Sequence, residues 1–197
     1  MPRLPSLLIE LAGAGLVLWL GALLLRAPAP QPSGGQTGTA VGDLQPCVLD
    51  RAGYIHGRLY GAIKMNVDWT GAAFTCGGMS RPDERGVRLV FASPPQGQSK
   101  RRIFVIGIDR AVDELTRGES AVNLTIIDEK SGRFFGTRGM ERCWTQVSDV
   151  KQLPNASGTY RVDGDIYCAG SIPSLSDKAS LTLSDFHYSG RLTVDES

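Results

Sequence analysis

The chain has 197 residues, with 21 Lys+Arg against 20 Asp+Glu and a formal net charge of +1 at pH 7. That balance excludes the strong positive field on which nucleic-acid binding depends, so no nucleic-acid partner is expected. The length suffices for one domain that buries a proper core, with residues to spare at one end.

The spare residues are N-terminal. From Leu11 to Leu25 there are 15 residues without a charge, and Leu7, Leu8 and Ile9 extend the apolar run beyond Glu10. A spanning helix needs about 20 mostly apolar residues. The sequence therefore predicts a cytoplasmic N-terminus over 1–6 and a single transmembrane anchor over 7–26, with the lipid bilayer as its partner. Glu10 lies near the helix end, where a carboxylate snorkels or takes a proton more cheaply than at mid-bilayer. Trp19 suits the opposite interface. A cleaved signal peptide is the competing reading, since its apolar stretch is about 7–15 residues. The cleavage site is the difficulty: Ala27-Pro28-Ala29 would put Pro30 after the cut, and Gly38-Thr39-Ala40 lies far downstream. The anchor is preferred, with secretion after cleavage as the alternative. Arg3 and Arg26 barely bias the orientation. Four cysteines beyond the apolar run fit an oxidising exterior better than the cytosol, which puts the domain outside and makes a bacterial inner membrane facing the periplasm the expected location.

Residues 27–46 are dominated by Pro, Gly, Ser, Thr, Gln and Ala and read as a flexible tether. Residues 47–197 then form one domain whose pattern has period two. Ile63–Thr70 alternates apolar and polar without a fault, and Val87, Leu89 and Phe91 alternate on the next segment. Arg102–Ile108 is an apolar run, as in a more buried strand. Arg110–Thr116 has room for one or two helical turns. Ala121–Asp128 and Arg133–Thr137 flank a turn signal at 129–132, as Cys143–Val150 and Thr159–Ala169 flank Pro154-Asn155-Ala156-Ser157-Gly158. Ala179–Phe186 and Tyr188–Val194 complete eight or nine short strands. The predicted fold is all-β, an antiparallel β-sandwich or a small β-barrel, preceded by the one transmembrane helix.

The cysteines fix geometry within that fold. Cys143 and Cys168 have an index sum of 311, which centres a hairpin inside the turn cluster 154–158. They would face each other across two strands, within disulfide reach. The same register puts Asp149 opposite Val162, a polar residue on an apolar face, and so calls for a bulge or a slip. Cys47–Cys76 follows by exclusion. No CxxC pair or neighbouring histidine favours zinc, and no metal or other cofactor is expected.

Chemistry is thinly written. The two histidines, His56 and His187, leave a serine triad conceivable, but the nucleophile elbow is absent; Gly78-Met79-Ser80-Arg81-Pro82 fails at its last glycine. Asp163 and Asp165 share one face of a strand, at the separation of the carboxylate pairs that cleave glycans, but a solvated strand face gives the same spacing. Lys100-Arg101-Arg102 precedes an apolar strand, where charge guards against aggregation. Trp144 points away from the Cys143 face: it is exposed and available to a partner if Cys143 faces the core, and buried if a bulge intervenes. The expectation is a non-enzymatic binding or structural subunit of an envelope assembly, with an envelope protein as partner and Trp144 at the contact. The alternative is an envelope hydrolase acting on glycans, through Asp163 and Asp165 or His187.

Overall fold

The structure is a computed structural model that describes residues 44–81, 85–94, 100–140 and 142–194. Among the described residues twelve strands follow one another: β1 (Gln45–Pro46), β2 (Tyr54–Gly61), β3 (Met65–Thr70), β4 (Thr75–Ser80), β5 (Val87–Ala92), β6 (Arg102–Ile108), β7 (Ser120–Asp128), β8 (Arg133–Gly136), β9 (Cys143–Gln152), β10 (Thr159–Cys168), β11 (Ile172–Pro173) and β12 (Ser180–Thr193). All strand pairs are antiparallel, in the order β1-β4-β5-β6-β7-β9-β10-β12-β2-β3, with β8 added on β7 and β11 on β12. The all-β, antiparallel expectation therefore holds; of the expected sandwich or small barrel, the described strands form one sheet curled into a half-barrel. The reason is a short seam. Ser120, Ala121 and Val122 of β7 pair with Thr145, Trp144 and Cys143 of β9, joining two halves that would otherwise be separate sheets.

The curl brings the inner faces of the halves together around aromatic rings. Phe104 of β6 lies 5.3 Å from Phe186 of β12 between ring centroids, and Phe91 of β5 lies 5.9 Å from Tyr188. These four side chains are fully buried, each worth roughly 1.5–3 kcal/mol of transfer free energy. Glycine permits the closest approach. A Cβ on Gly190 would stand 2.6 Å from the Phe91 ring, and one on Gly78 would stand 2.7 Å from the Arg191 carbonyl, so any side chain at either place would wedge the halves apart.

Two strands escape the period-two reading. β2 (YIHGRLYG) and β4 (TCGGMS) carry glycines where a strand pattern wants side chains, and β-propensity is low there. Both are placed by their neighbours, β2 between β12 and β3, and β4 between β1 and β5. The expected strands 179–186 and 188–194 are one 14-residue strand, β12, whose register with β2 shifts between Ser184 and His187. Asp185 absorbs the shift at φ 53°, a left-handed conformation that Asp tolerates better than most residues. The stretch at Arg110–Thr116 holds a single 3-10 turn, Val112–Glu114.

Both disulfides are present, Cys143–Cys168 and Cys47–Cys76. Cys168 faces Cys143, Ile166 faces Thr145 and Gly164 faces Val147, all at index sum 311. Between Asp163 and Gly164 the register shifts, and Asp163 faces Asp149 and Val162 faces Val150, at sum 312. The extra residue is Ser148. It turns Asp149 away from the core while Val150 stays on the apolar side. β1 already pairs Gln45 with Cys76 and Pro46 with Thr75, so regular pairing begins within the stretch read as tether. The anchor segment 7–26 lies outside the described residues. Among the described residues no helix is long and apolar enough to cross a membrane.

Candidate functional site

The face of β9, β10, β12, β2 and β3 that points away from the core collects most of the side chains singled out from the sequence. Register places Asp165 of β10 opposite His187 of β12, His187 opposite His56 of β2, and His56 opposite Asp68 of β3. Both histidines of the chain thus stand in one row across four strands. His187 Nδ1 hydrogen-bonds to Asp165 Oδ1, and His56 Nδ1 stands 2.7 Å from Asp68 Oδ1. Tyr54 stacks on His56 with ring centroids 4.9 Å apart. The row is open: the side chains of His56, His187, Asp165 and Asp68 are 40%, 53%, 54% and 80% exposed.

Trp144 lies on the same outward face. Cys143 faces the core and the Ser148 bulge comes too late to turn the tryptophan inward. Trp144 is half-buried because it stacks on its facing residue Tyr167, 5.7 Å between centroids and 24° between planes. Tyr167 is exposed, and its hydroxyl hydrogen-bonds to Glu119, which with burial raises its pKa above the usual tyrosine value.

Asp163 differs from Asp165 two residues away. The two share a face as expected, but Asp163 is 3% exposed. The covering is the segment 47–53, whose Arg51 bonds Asp163 at 2.6 Å. Arg161, itself buried, reaches Asp163 at 2.9 Å, Asp50 at 2.6 Å and Asp149. Lys151 adds a 2.9 Å bond to Asp50. Arg161, Arg51 and Lys151 thereby balance Asp50, Asp149 and Asp163. Burial works against the charge on Arg161, but its bonds to Asp50 and Asp163 outweigh it and push its pKa up. The bonds from Arg161 and Lys151 hold the Asp50 carboxyl down at about 2. Both guanidiniums grip Oδ2 of Asp163, and its Oδ1 is buried without a partner, so the carboxylate is closed off from a substrate by the covering segment, and the solvated face read from the sequence is corrected at this position.

The Asp165–His187 pair has the carboxylate–imidazole relation of a triad. The hydroxyl two residues along, Ser189, is fully buried under the 47–53 segment, with Cys47 Sγ 3.8 Å from its carbonyl oxygen. A nucleophile there is out of a substrate's reach. Beneath the row, Thr145 Oγ1 donates to the Asp165 carbonyl at 2.8 Å, which leaves the buried Tyr188 hydroxyl to donate to Thr145. That bond fixes the strands from below; burial pushes the Tyr188 pKa well up and keeps the hydroxyl neutral. Among the described residues no group of three or more His, Cys, Asp or Glu is arranged to hold a metal ion. Two clefts, of about 240 and 330 Å3, lie elsewhere, and neither is lined by Asp163, Asp165, His187 or Trp144.

The histidine row and the Arg161 cluster were not legible beforehand. Period-two reading gives the face of each side chain, but only the strand order makes His56 a neighbour of His187. No protein-family model matches the chain, no curated protein matches it, and no solved structure matches its fold.

Proposed function

We propose that the chain is a membrane-anchored extracytoplasmic module that binds a protein partner of the cell envelope and is not itself an enzyme. The observation that supports this reading is the outward face just described. It offers the stacked Trp144–Tyr167 pair beside an open row of hydrogen-bonding side chains, on strands braced by a disulfide. Aromatic groups of this kind carry much of the energy of protein interfaces, and rigid strands lower the entropy lost on binding. The titratable groups that an enzyme would gather in a concavity are instead spread along a sheet. Two disulfides accord with an oxidising compartment, and the apolar segment 7–26 accords with an anchor.

The test is crosslinking in native membranes, with an aromatic photoreactive residue at position 144. A discrete, recurring envelope protein is expected in the adducts, and its yield should fall when Tyr167→Ala removes the stacking partner. Adducts made only with the chain itself, or with a random set of neighbours, would overturn the reading.

A further inference from the structure

The inner face of the half-barrel does not end in apolar side chains. At one end of β6 and β7, the ladder that pairs Phe104 with Ile126 continues to Arg102 opposite Asp128. It runs one step further through a Glu129 N–H donating to the Arg101 carbonyl at 3.0 Å. Just beyond that bond, Lys100 and Lys130 both line the mouth. Two like charges at one mouth repel each other. Among the described residues neither lysine has a carboxylate partner, and both are exposed. Facing them across the mouth are Met65 and Trp69 of β3, with Trp69 edge-on to Phe104 at 5.5 Å.

These residues, with Arg102 and Ser93, line the cleft of about 240 Å3. At ~30 Å3 per water, that is room for roughly eight waters. Its polar groups are poised to donate and are only partly used. Ser93 Oγ accepts the Arg102 backbone N–H at 2.9 Å and gives its own proton to none of the described residues. Arg102 stands 3.3 Å from Asp128, yet its buried Nε makes no hydrogen bond. Three cations and one nearby carboxylate leave a local excess of two positive charges. Beside that excess lies an indole and a thioether.

We propose that this mouth is a ligand site for a phosphomonoester-type dianion carried on a small apolar or aromatic body. Arg102, Lys100, Lys130 and the Ser93 hydroxyl receive the phosphate, while Trp69 and Met65 receive the body. Arginine presents a planar fork to phosphate oxygens and lysine a mobile point charge, and together they neutralise a dianion. The unfavourable Lys100–Lys130 repulsion is then relieved by the ligand. The site is separate from the outward face proposed to bind a protein, and neither proposal rests on the other.

Phenyl phosphate is the probe. Titrated into the purified full-length chain by calorimetry, it should bind saturably at one site, more weakly as salt rises. Lys100→Ala and Lys130→Ala should each weaken it by about tenfold, the factor that corresponds to one moderate charge contact. The double variant should abolish measurable binding. Both lysines are exposed and repel each other, so the variants should keep the parent's urea midpoint or raise it slightly, and that measurement separates lost binding from lost folding. A ligand-dependent change in tryptophan emission should vanish in Trp69→Phe. Dihexanoyl phosphatidic acid distinguishes a lipid headgroup from a soluble phosphate ester. Binding at least tenfold tighter than phenyl phosphate assigns the site to lipid, and equal or weaker binding assigns it to a soluble ester. No saturable binding of either probe, or equal affinity in the folded double variant, would overturn the proposal.

Discussion

The cluster around Arg161 and the mouth around Arg102 are made from the same residue types and reach opposite states. At Arg161, three cations meet three carboxylates and most of their oxygens and nitrogens are bonded. At Arg102, three cations meet one carboxylate, and the nearest contact lacks hydrogen-bond geometry. The first region spends its polar groups on itself and so holds the 47–53 segment against the sheet. The second leaves its donors unspent. A balanced buried network is a structural joint, and an unbalanced open one invites a ligand.

The contrast can be broken most violently at Arg161. Arg161→Leu leaves Asp50, Asp149 and Asp163 facing one another without their common cation, and removing one partner of a buried ion pair costs about 3–5 kcal/mol. Urea unfolding should show this as a large drop in midpoint; a loss below ~1 kcal/mol would mean that water already screens the cluster. The joint also depends on the hairpin beneath it. Replacing Cys143 and Cys168 with Ala should cost about 2–5 kcal/mol, the usual effect of losing a native disulfide from a small secreted domain. Phenyl phosphate binding at the mouth should survive wherever the variant remains folded.

The mouth should respond in the opposite sense. Lys130→Glu sets an opposite charge against Lys100, which should raise stability by ~0.2–1 kcal/mol while binding of the phosphate probe disappears. A variant that loses both stability and binding would show the lysine to be structural. The subtlest difference is in pH. Asp50 titrates at about 2 in the fold against 3.8 ordinarily. Its contribution is complete above pH ~4 and is lost as pH falls through about 2, because the unfolded chain takes up the proton first. In Asp50→Asn, the fall of unfolding midpoint with acid over that window should be shallower than in the parent; an unchanged slope would remove Asp50 from the joint.

How much of this was legible beforehand follows from what each signal encodes. The Cys143–Cys168 pairing and the need for a bulge were readable because a hairpin constrains residues close in sequence. β2 and β4 were not, because their glycines answer to tertiary contacts such as the Gly78–Arg191 approach. The single curled sheet was hidden for a related reason. Its closure depends on a three-residue seam between β7 and β9, too short to leave a pattern. Trp144 was correctly left open at the sequence level, since its environment turns on where the bulge falls. Asp163 looked solvated because nothing local announces that a segment more than a hundred residues earlier lies over it.

The bulge at Ser148 divides one strand into stretches under different jurisdictions. Up to Val147, the odd-numbered residues of β9 answer to the apolar core; from Asp149, the odd-numbered ones answer to the charge cluster. Flattening the bulge without changing the strand's length would therefore be a frameshift in space, although every side chain were kept. It would aim Asp149 and Lys151 inward and Val150 outward. Deleting Ser148, by contrast, takes out the extra residue and leaves a regular strand with Asp149 and Lys151 still outward and Val150 still inward, so a one-residue deletion should be tolerated at Ser148 and not at Val147 or Val150.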